Sequence, residues 1–270
     1  MLAYAQLTPG HGFRPWRASL YYAQRLMIWP AGRQVIASAL SSLVNLRYGR
    51  AARVDSSALH ELAREGVAKL PDLLSRDEIT EMRRWLDEQP NDDGVYSLKT
   101  SFECPYVRRV IADPRITGLI ASYLGCKPTL SSIGIRWSKT ADKPPSYQSF
   151  HRDPDDWRFV KVFVYLTDVS SLTGPHTYVR RSHLTKTRFR AKPYGLEEVQ
   201  REYGQEAVWQ VLGAAGTSFI ADTYGIHRGD VPVEAPRLIL QLQFSICEIL
   251  TFLYPKVAHG LDRYTGRLFS

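Results

Sequence analysis

In two stretches of this chain apolar residues fall at every second position: Val160, Val162, Val164 and Leu166, then Leu238, Leu240, Leu242 and Phe244. Side chains of a strand alternate between its faces, so a period of two predicts strands with one face on an apolar core. Ile133, Ile135 and Trp137 predict another. From Thr129 onward these short runs are separated by Gly, Pro, Asp and Ser turns, which favours a sandwich or barrel over a parallel sheet. A chain of 270 residues is long enough to close one cored domain around them.

Before Thr129 the pattern is helical. From Ala31 to Asn45, Val35, Ile36, Ala39, Leu40, Leu43 and Val44 recur about every four positions and predict one buried stripe. Gln34, Ser38, Ser41, Ser42 and Asn45 are expected on the other side. Ser75 and Glu78 form a capping box ahead of Ile79, Met82 and Leu86. Asp113-Pro114 opens a helix that Gly125 closes, and Glu197 to Tyr203 reads as a short polar helix. Lys143-Pro144-Pro145-Ser146 marks a loop.

Three scattered cysteines, Cys104, Cys126 and Cys247, suggest neither a disulfide framework nor a zinc site. No run approaches the roughly 18 to 20 apolar residues of a membrane-spanning helix, and the N-terminus lacks the apolar core of a secretory signal. A cytoplasmic protein is the expectation. The net charge of +8 is uneven: Arg14, Arg17, Arg25, Arg33, Arg47, Arg50 and Arg53 all precede the first acidic residue, Asp55. Residues 1–55 therefore read as a basic helical arm and 56–270 as the main domain. The arm either is a solvated face or meets an acidic partner or an anionic membrane surface, which would make the protein peripheral there; nucleic acid is not expected.

His151 and Asp153 are two apart, so on an extended strand both side chains leave from one face and can chelate one metal. His227, after the strand Thr217 to Ala221, is the best third ligand. Two imidazoles and one carboxylate leave about three octahedral positions open, the pattern of non-haem Fe(II) oxygenases, with room for a bidentate oxo-acid and O₂. His-x-Asp alone is a weak signal. Arg237, ten positions after His227 at the head of an apolar strand, strengthens it. An inward guanidinium there can pair bidentately with the far carboxylate of 2-oxoglutarate, and a buried Arg without an anion would be costly.

From about Leu59 to the C-terminus the chain resembles the phytanoyl-CoA dioxygenase family. The resemblance rests on Leu62 to Pro71, His151-Arg152-Asp153, Lys161 to Asp168, Gly174-Pro175, Ser182-His183, His227 and Arg237. Two departures stand out: His176 replaces an apolar residue, and Arg181 replaces the Gly before Ser-His. The resemblance implies an α+β fold with a mainly β core, a double-stranded β-helix (jelly-roll, cupin-like) flanked by N-terminal helices. It implies Fe(II), 2-oxoglutarate and O₂, and hydroxylation of an unactivated C–H bond of a small metabolite or biosynthetic intermediate, with 2-oxoglutarate decarboxylated to succinate. Halogenating relatives have a small residue at the carboxylate position; Asp153 favours hydroxylation.

Gln148 and Arg136 are further candidates to hold 2-oxoglutarate. Trp157, Arg158 and His176 are candidates to meet the substrate, while Asp155 and Asp156 read as a solvated acidic loop. Gln241 and Gln243 share the parity of Arg237. Two other readings stay open: an oxidative desaturase or cyclase of the same fold, and a catalytically silent binding module whose basic arm contacts lipid or nucleic acid.

Overall fold

A computed structural model of the chain describes residues 15–140, 148–186, 193–249 and 266–267. Arg14 and the Lys143-Pro144-Pro145-Ser146 segment lie outside them. Helices come first. They are α1 (Pro15–Leu26), α2 (Pro30–Tyr48), α3 (Ser57–Glu65), α4 (Arg76–Asp87), α5 (Leu98–Glu103), α6 (Pro105–Ile111) and α7 (Pro114–Leu124), with α8 (Leu196–Tyr203) later. The Ser75 hydroxyl accepts from Glu78 N at 3.3 Å while the Glu78 carboxylate accepts from Ser75 N at 2.8 Å, which is the expected capping box. Asp113 caps α7, and Gly125 ends it at φ 80°, a left-handed conformation that suits glycine.

The strands are β1 (Val67–Leu70), β2 (Asn91–Asp92), β3 (Val95–Tyr96), β4 (Thr129–Ser138), β5 (Phe159–Tyr165), β6 (His176–Val179), β7 (Val208–Val211), β8 (Ser218–Ala221), β9 (His227–Gly229), β10 (Arg237–Ser245) and β11 (Gly266–Arg267). They make two antiparallel sheets. The larger runs β1-β8-β5-β10-β4-β3-β2, with β11 also on β4; the smaller runs β7-β6-β9. The molecule is α+β with a β core, as expected.

The period of two divides the large sheet. Val160, Val162, Val164, Leu238, Leu240, Leu242 and Phe244 face the helices and pack with Met82, Leu86, Ile116, Ile120 and Leu124. Burying a side chain of this kind contributes roughly 1.5–3 kcal/mol. On the other face, Phe163, Tyr165, Phe219, Ala221 and Ile239 meet Tyr178 and Val211 of the small sheet. Lys161, Arg237, Gln241 and Gln243 share that second face, because β5 and β10 pair Lys161 with Gln243 and Phe163 with Gln241.

The stripe expected on α2 is corrected. The buried positions are Arg33, Ala37, Ser41 and Val44, while Val35 and Leu43 are 70% and 60% exposed. Hydrogen bonding selects this orientation. The last carbonyls of a helix lack partners within it, and Ser41 Oγ donates to Leu124 O at 2.7 Å while Asn45 Nδ2 donates to Gly125 O at 2.9 Å. The polar side of α2 thus completes the C-terminus of α7; of the expected stripe, Leu40 and Val44 still pack on the core while Val35 and Leu43 are left outside.

Candidate metal centre

His151 lies just outside β9 but pairs with its first residue. His151 N donates to His227 O at 2.9 Å and His227 N to His151 O at 3.0 Å, a two-way antiparallel bridge that places both rings on one side. Asp153 N donates to Thr223 O at 2.9 Å and holds the next turn of chain. Gly225 permits the approach, since a Cβ there would overlap the Tyr178 hydroxyl, which itself donates to Asp222 O.

The ligand atoms of His151, Asp153 and His227 lie within 4.8 Å of one another. His151 Nε2 is 3.5 Å from Asp153 Oδ1, and His227 Nε2 is 3.4 Å from Asp153 Oδ2. Each Nδ1 is engaged with a backbone carbonyl, His151 with Ser149 O at 2.8 Å and His227 with Gly225 O at 2.9 Å. With Nδ1–H donating, each Nε2 presents its lone pair to the space between the rings, the tautomer a metal-binding imidazole needs. Burial holds the His227 imidazole below its usual pKa against the pull of Asp153, which keeps it neutral and ready to ligate. The three residues fit a divalent metal.

Sequence reading missed Lys161. Its ammonium lies 2.6 Å from Asp153 Oδ2, with the side chain only 11% exposed. Burial works against the Asp153 charge, but Lys161 and then His227 overcome it and hold the carboxyl well below its ordinary range. The signal was available: Lys161 is the lone charge in the apolar run Phe159–Tyr165, at the parity that faces the small sheet.

Arg237 is 2% exposed. It donates to the Gly174 carbonyl and, at 3.0 Å, to Ser138 Oγ, both neutral acceptors. Gly229 gives it room, because a Cβ there would come within 3.0 Å of Nη2. His176 lies beside the triad. Its ring lies 5.5 Å from the His227 ring, and it pairs through the backbone with Gly229. Burial, then His227 and Arg237, push the His176 pKa well below the usual value, so the ring is neutral. Its Nε2 is buried with no hydrogen-bond partner, as is the side-chain oxygen of Gln148. Arg136 pairs with Ile239 and so takes the same sheet face as Arg237.

Other sequence candidates are placed elsewhere. Arg158 has the parity of Val160 and reaches Leu124 O and Ser38 Oγ, each at 3.4 Å, on the helix side of the sheet. Trp157 packs into the helix-side core and lies 5.3 Å from the Arg33 guanidinium. The expected solvated acidic loop is a further correction. Asp156 is 4% exposed and accepts from Cys247 N at 2.9 Å, and burial raises its pKa to about 7. Asp155 is raised to about 6 by burial and by Asp153. The loop is roofed by the first two helices: Gln24 Nε2 donates to Pro154 O at 2.7 Å and Arg33 Nη2 to Asp156 O at 2.6 Å. Arg181, where the resembling family has Gly, adopts φ 64°; its guanidinium ion-pairs with Glu65 and its N–H donates to Glu65 O.

No protein-family model and no curated protein matches the chain. Solved structures do. The non-heme alpha ketoglutarate dependent carbocyclase SnoK from nogalamycin biosynthesis is 18% identical, with a TM-score of 0.56 over 73% of this chain and 86% of that one. EctD from S. alaskensis with bound Fe is 18% identical, with a TM-score of 0.57 over 72% and 77%. The epimerase SnoN, in complex with Fe3+, alpha ketoglutarate and nogalamycin RO, is 18% identical, with a TM-score of 0.54 over 78% and 94%. The chain shares the fold of these non-haem iron enzymes. At such identities the likeness is one of fold, and the His151–Asp153–His227 cluster is what this chain itself contributes.

Proposed function

We propose that this protein is a Fe(II)/2-oxoglutarate-dependent dioxygenase with a double-stranded β-helix core, akin to the phytanoyl-CoA dioxygenases. The carrying observation is the triad, whose two imidazole Nε2 atoms and one carboxylate converge with both Nδ1 atoms tied to carbonyls. His151, Asp153 and His227 would hold the iron, which supplies O₂ activation coupled to decarboxylation of 2-oxoglutarate to succinate.

The chain's own residues bind and orient. Arg237, buried on the inner sheet face, anchors the far carboxylate of the co-substrate through the bidentate fork of its guanidinium. His176, beside His227, and Gln148, three residues before His151, each have a buried polar atom lacking a partner and offer hydrogen bonds to the co-substrate. Arg136 belongs to the same face. Phe163, Tyr165 and Phe219 keep that span dry. The favoured outcome is hydroxylation of a C–H bond of a small metabolite. Oxidative ring closure or epimerisation is a second reading, favoured by the activities named for SnoK and SnoN.

The test is anaerobic Fe(II) titration followed by a screen for substrate-stimulated succinate formation. The wild-type chain should bind one Fe(II) and His227→Ala should bind it at least about 100-fold more weakly, since loss of a ligand exceeds the 10–100-fold loss of an outer partner. Equal affinities in the two proteins would end the proposal. Product mass separates the outcomes: one oxygen gained for hydroxylation, two hydrogens lost for ring closure, no change for epimerisation.

A further inference from the structure

The arm is apolar on the wrong side. Of the sixteen large apolar side chains exposed among the described residues, ten precede Asp55. On α2, Val35, Ala39, Leu43 and Leu46 follow one another along a single helical stripe, and Val35, Leu43 and Leu46 are 70%, 60% and 84% exposed. On and just after α1, Trp16, Leu26 and Trp29 are 59%, 71% and 59% exposed. The opposite side of both helices is already in use: Tyr21, Gln24, Arg33 and Ser41 are buried against the main domain. These helices are therefore docked elements with a second, bare apolar face, and such a face marks an interaction surface.

Charge selects the partner. No acidic residue precedes Asp55, and Arg25, Arg47, Arg50 and Arg53 are all exposed. No helix among the described residues is long and apolar enough to cross a membrane. Apolar stripe, interfacial tryptophans and arginines without acids are what a helix lying in the plane of an anionic bilayer presents, with aliphatic side chains entering the acyl boundary and guanidinium groups at the headgroups. A nucleic acid would leave the Val35–Leu46 stripe in water. We infer that the outward face of α1 and α2 docks the protein on an anionic lipid surface. The inner residues of the same helices, Gln24 and Arg33, roof the loop that follows Asp153. Docking would thus hold the metal centre within one helix layer of the bilayer, where a lipid-linked substrate would be presented.

The test uses the full chain and two vesicle types, phosphatidylcholine alone and equal parts phosphatidylcholine and phosphatidylglycerol. Cosedimentation is expected with the anionic vesicles only, weakening as salt is raised. The triple variant Val35→Ser, Leu43→Ser, Leu46→Ser should lower the bound fraction about fivefold or more with little change in melting temperature, because these side chains are mostly exposed. Should that variant misfold, the wild-type chain still decides: brominated lipid should quench its fluorescence, and Trp29→Phe should reduce the quenching. The inference is overturned if the wild-type chain stays in the supernatant with both vesicles, or if the serine variant binds as well as wild type. A dimer in solution that the serine variant dissolves, without vesicle binding, would give the stripe to a second copy and overturn it equally. Vesicle binding needs no metal or turnover, so its failure leaves the oxygenase proposal standing, and the reverse.

Discussion

Lys161 Nζ lies 2.6 Å from Asp153 Oδ2, so the carboxylate of the candidate metal triad already has a buried cation beside it. A divalent ion entering the triad meets that ammonium as a like charge. Replacing it with the near-isosteric, neutral Met should therefore act in opposite directions on the two states. Without metal, Lys161→Met takes the nearest cation from the largely enclosed Asp153 carboxylate, a loss of at most about 3–5 kcal/mol. With Fe(II) the ion itself becomes the counter-charge. Anaerobic melting curves should show a larger metal-induced rise in the variant than in wild type. An equal or smaller rise would mean that Lys161 does not compete with metal for Asp153.

Arg237 makes its own test. Arg237→Ala removes a guanidinium that is 2% exposed and donates to Gly174 O and Ser138 Oγ. Binding of 2-oxoglutarate to the Fe(II)-loaded protein should weaken at least about 30-fold, the lower end for truncating one member of a buried charge pair. Fe(II) affinity should change little, because Arg237 is not among the ligands. A metal-affinity loss as large as the co-substrate loss would point to a structural role instead.

Arg33 joins the first helices to the metal loop. Its guanidinium lies 4.0 Å from the Tyr224 ring and donates to Asp156 O, so it ties the segment after Asp153 to the segment before His227. Arg33→Ala should lower stability by about 2–4 kcal/mol through lost packing and a carbonyl left unpaired. It should also weaken Fe(II) binding about tenfold, as outer supports of metal ligands do. Arg33→Lys should recover little, since an ammonium lacks the flat face that stacks on Tyr224.

Asp156 predicts a pH dependence with an unusual sign. Burial raises its folded pKa to about 7 from 3.8. The folded state therefore holds this proton more tightly than the unfolded chain, and stability from this group is complete below pH about 4 and lost as pH rises to about 7. The swing has an upper bound of about 4 kcal/mol, at 1.36 kcal/mol for each pKa unit. Metal-free protein should melt progressively lower between these pH values. Asp156→Asn should flatten that slope and melt higher than wild type at pH 8. A slope unchanged in the variant would assign the effect elsewhere, with Asp155, raised to about 6, the neighbouring group.

What could be read from the chain was whatever depends on period or local order. Val160 to Leu166 and Leu238 to Phe244 announced strands because a strand's side chains alternate, and the structure buries that face under the helices. Ser75–Glu78 and Asp113-Pro114 announced helix starts because a cap is a contact between near neighbours. His-x-Asp and a distant His named three residues whose ligand atoms lie together, with a backbone bridge pairing His151 and His227, and strand parity puts Arg237 on the sheet face of Gln241 and Gln243. Tertiary structure decided the rest. The buried side of α2 follows from the unpaired carbonyls ending α7, which hydropathy does not register. Arg158 points away from the site because it is one position off the parity of Lys161. Lys161 beside Asp153, and Asp156 closed from water under Arg33, exist only once distant segments have met. The physical reason is range: periodicity and capping act over a few residues, whereas burial and charge pairing depend on which surfaces the finished fold brings together.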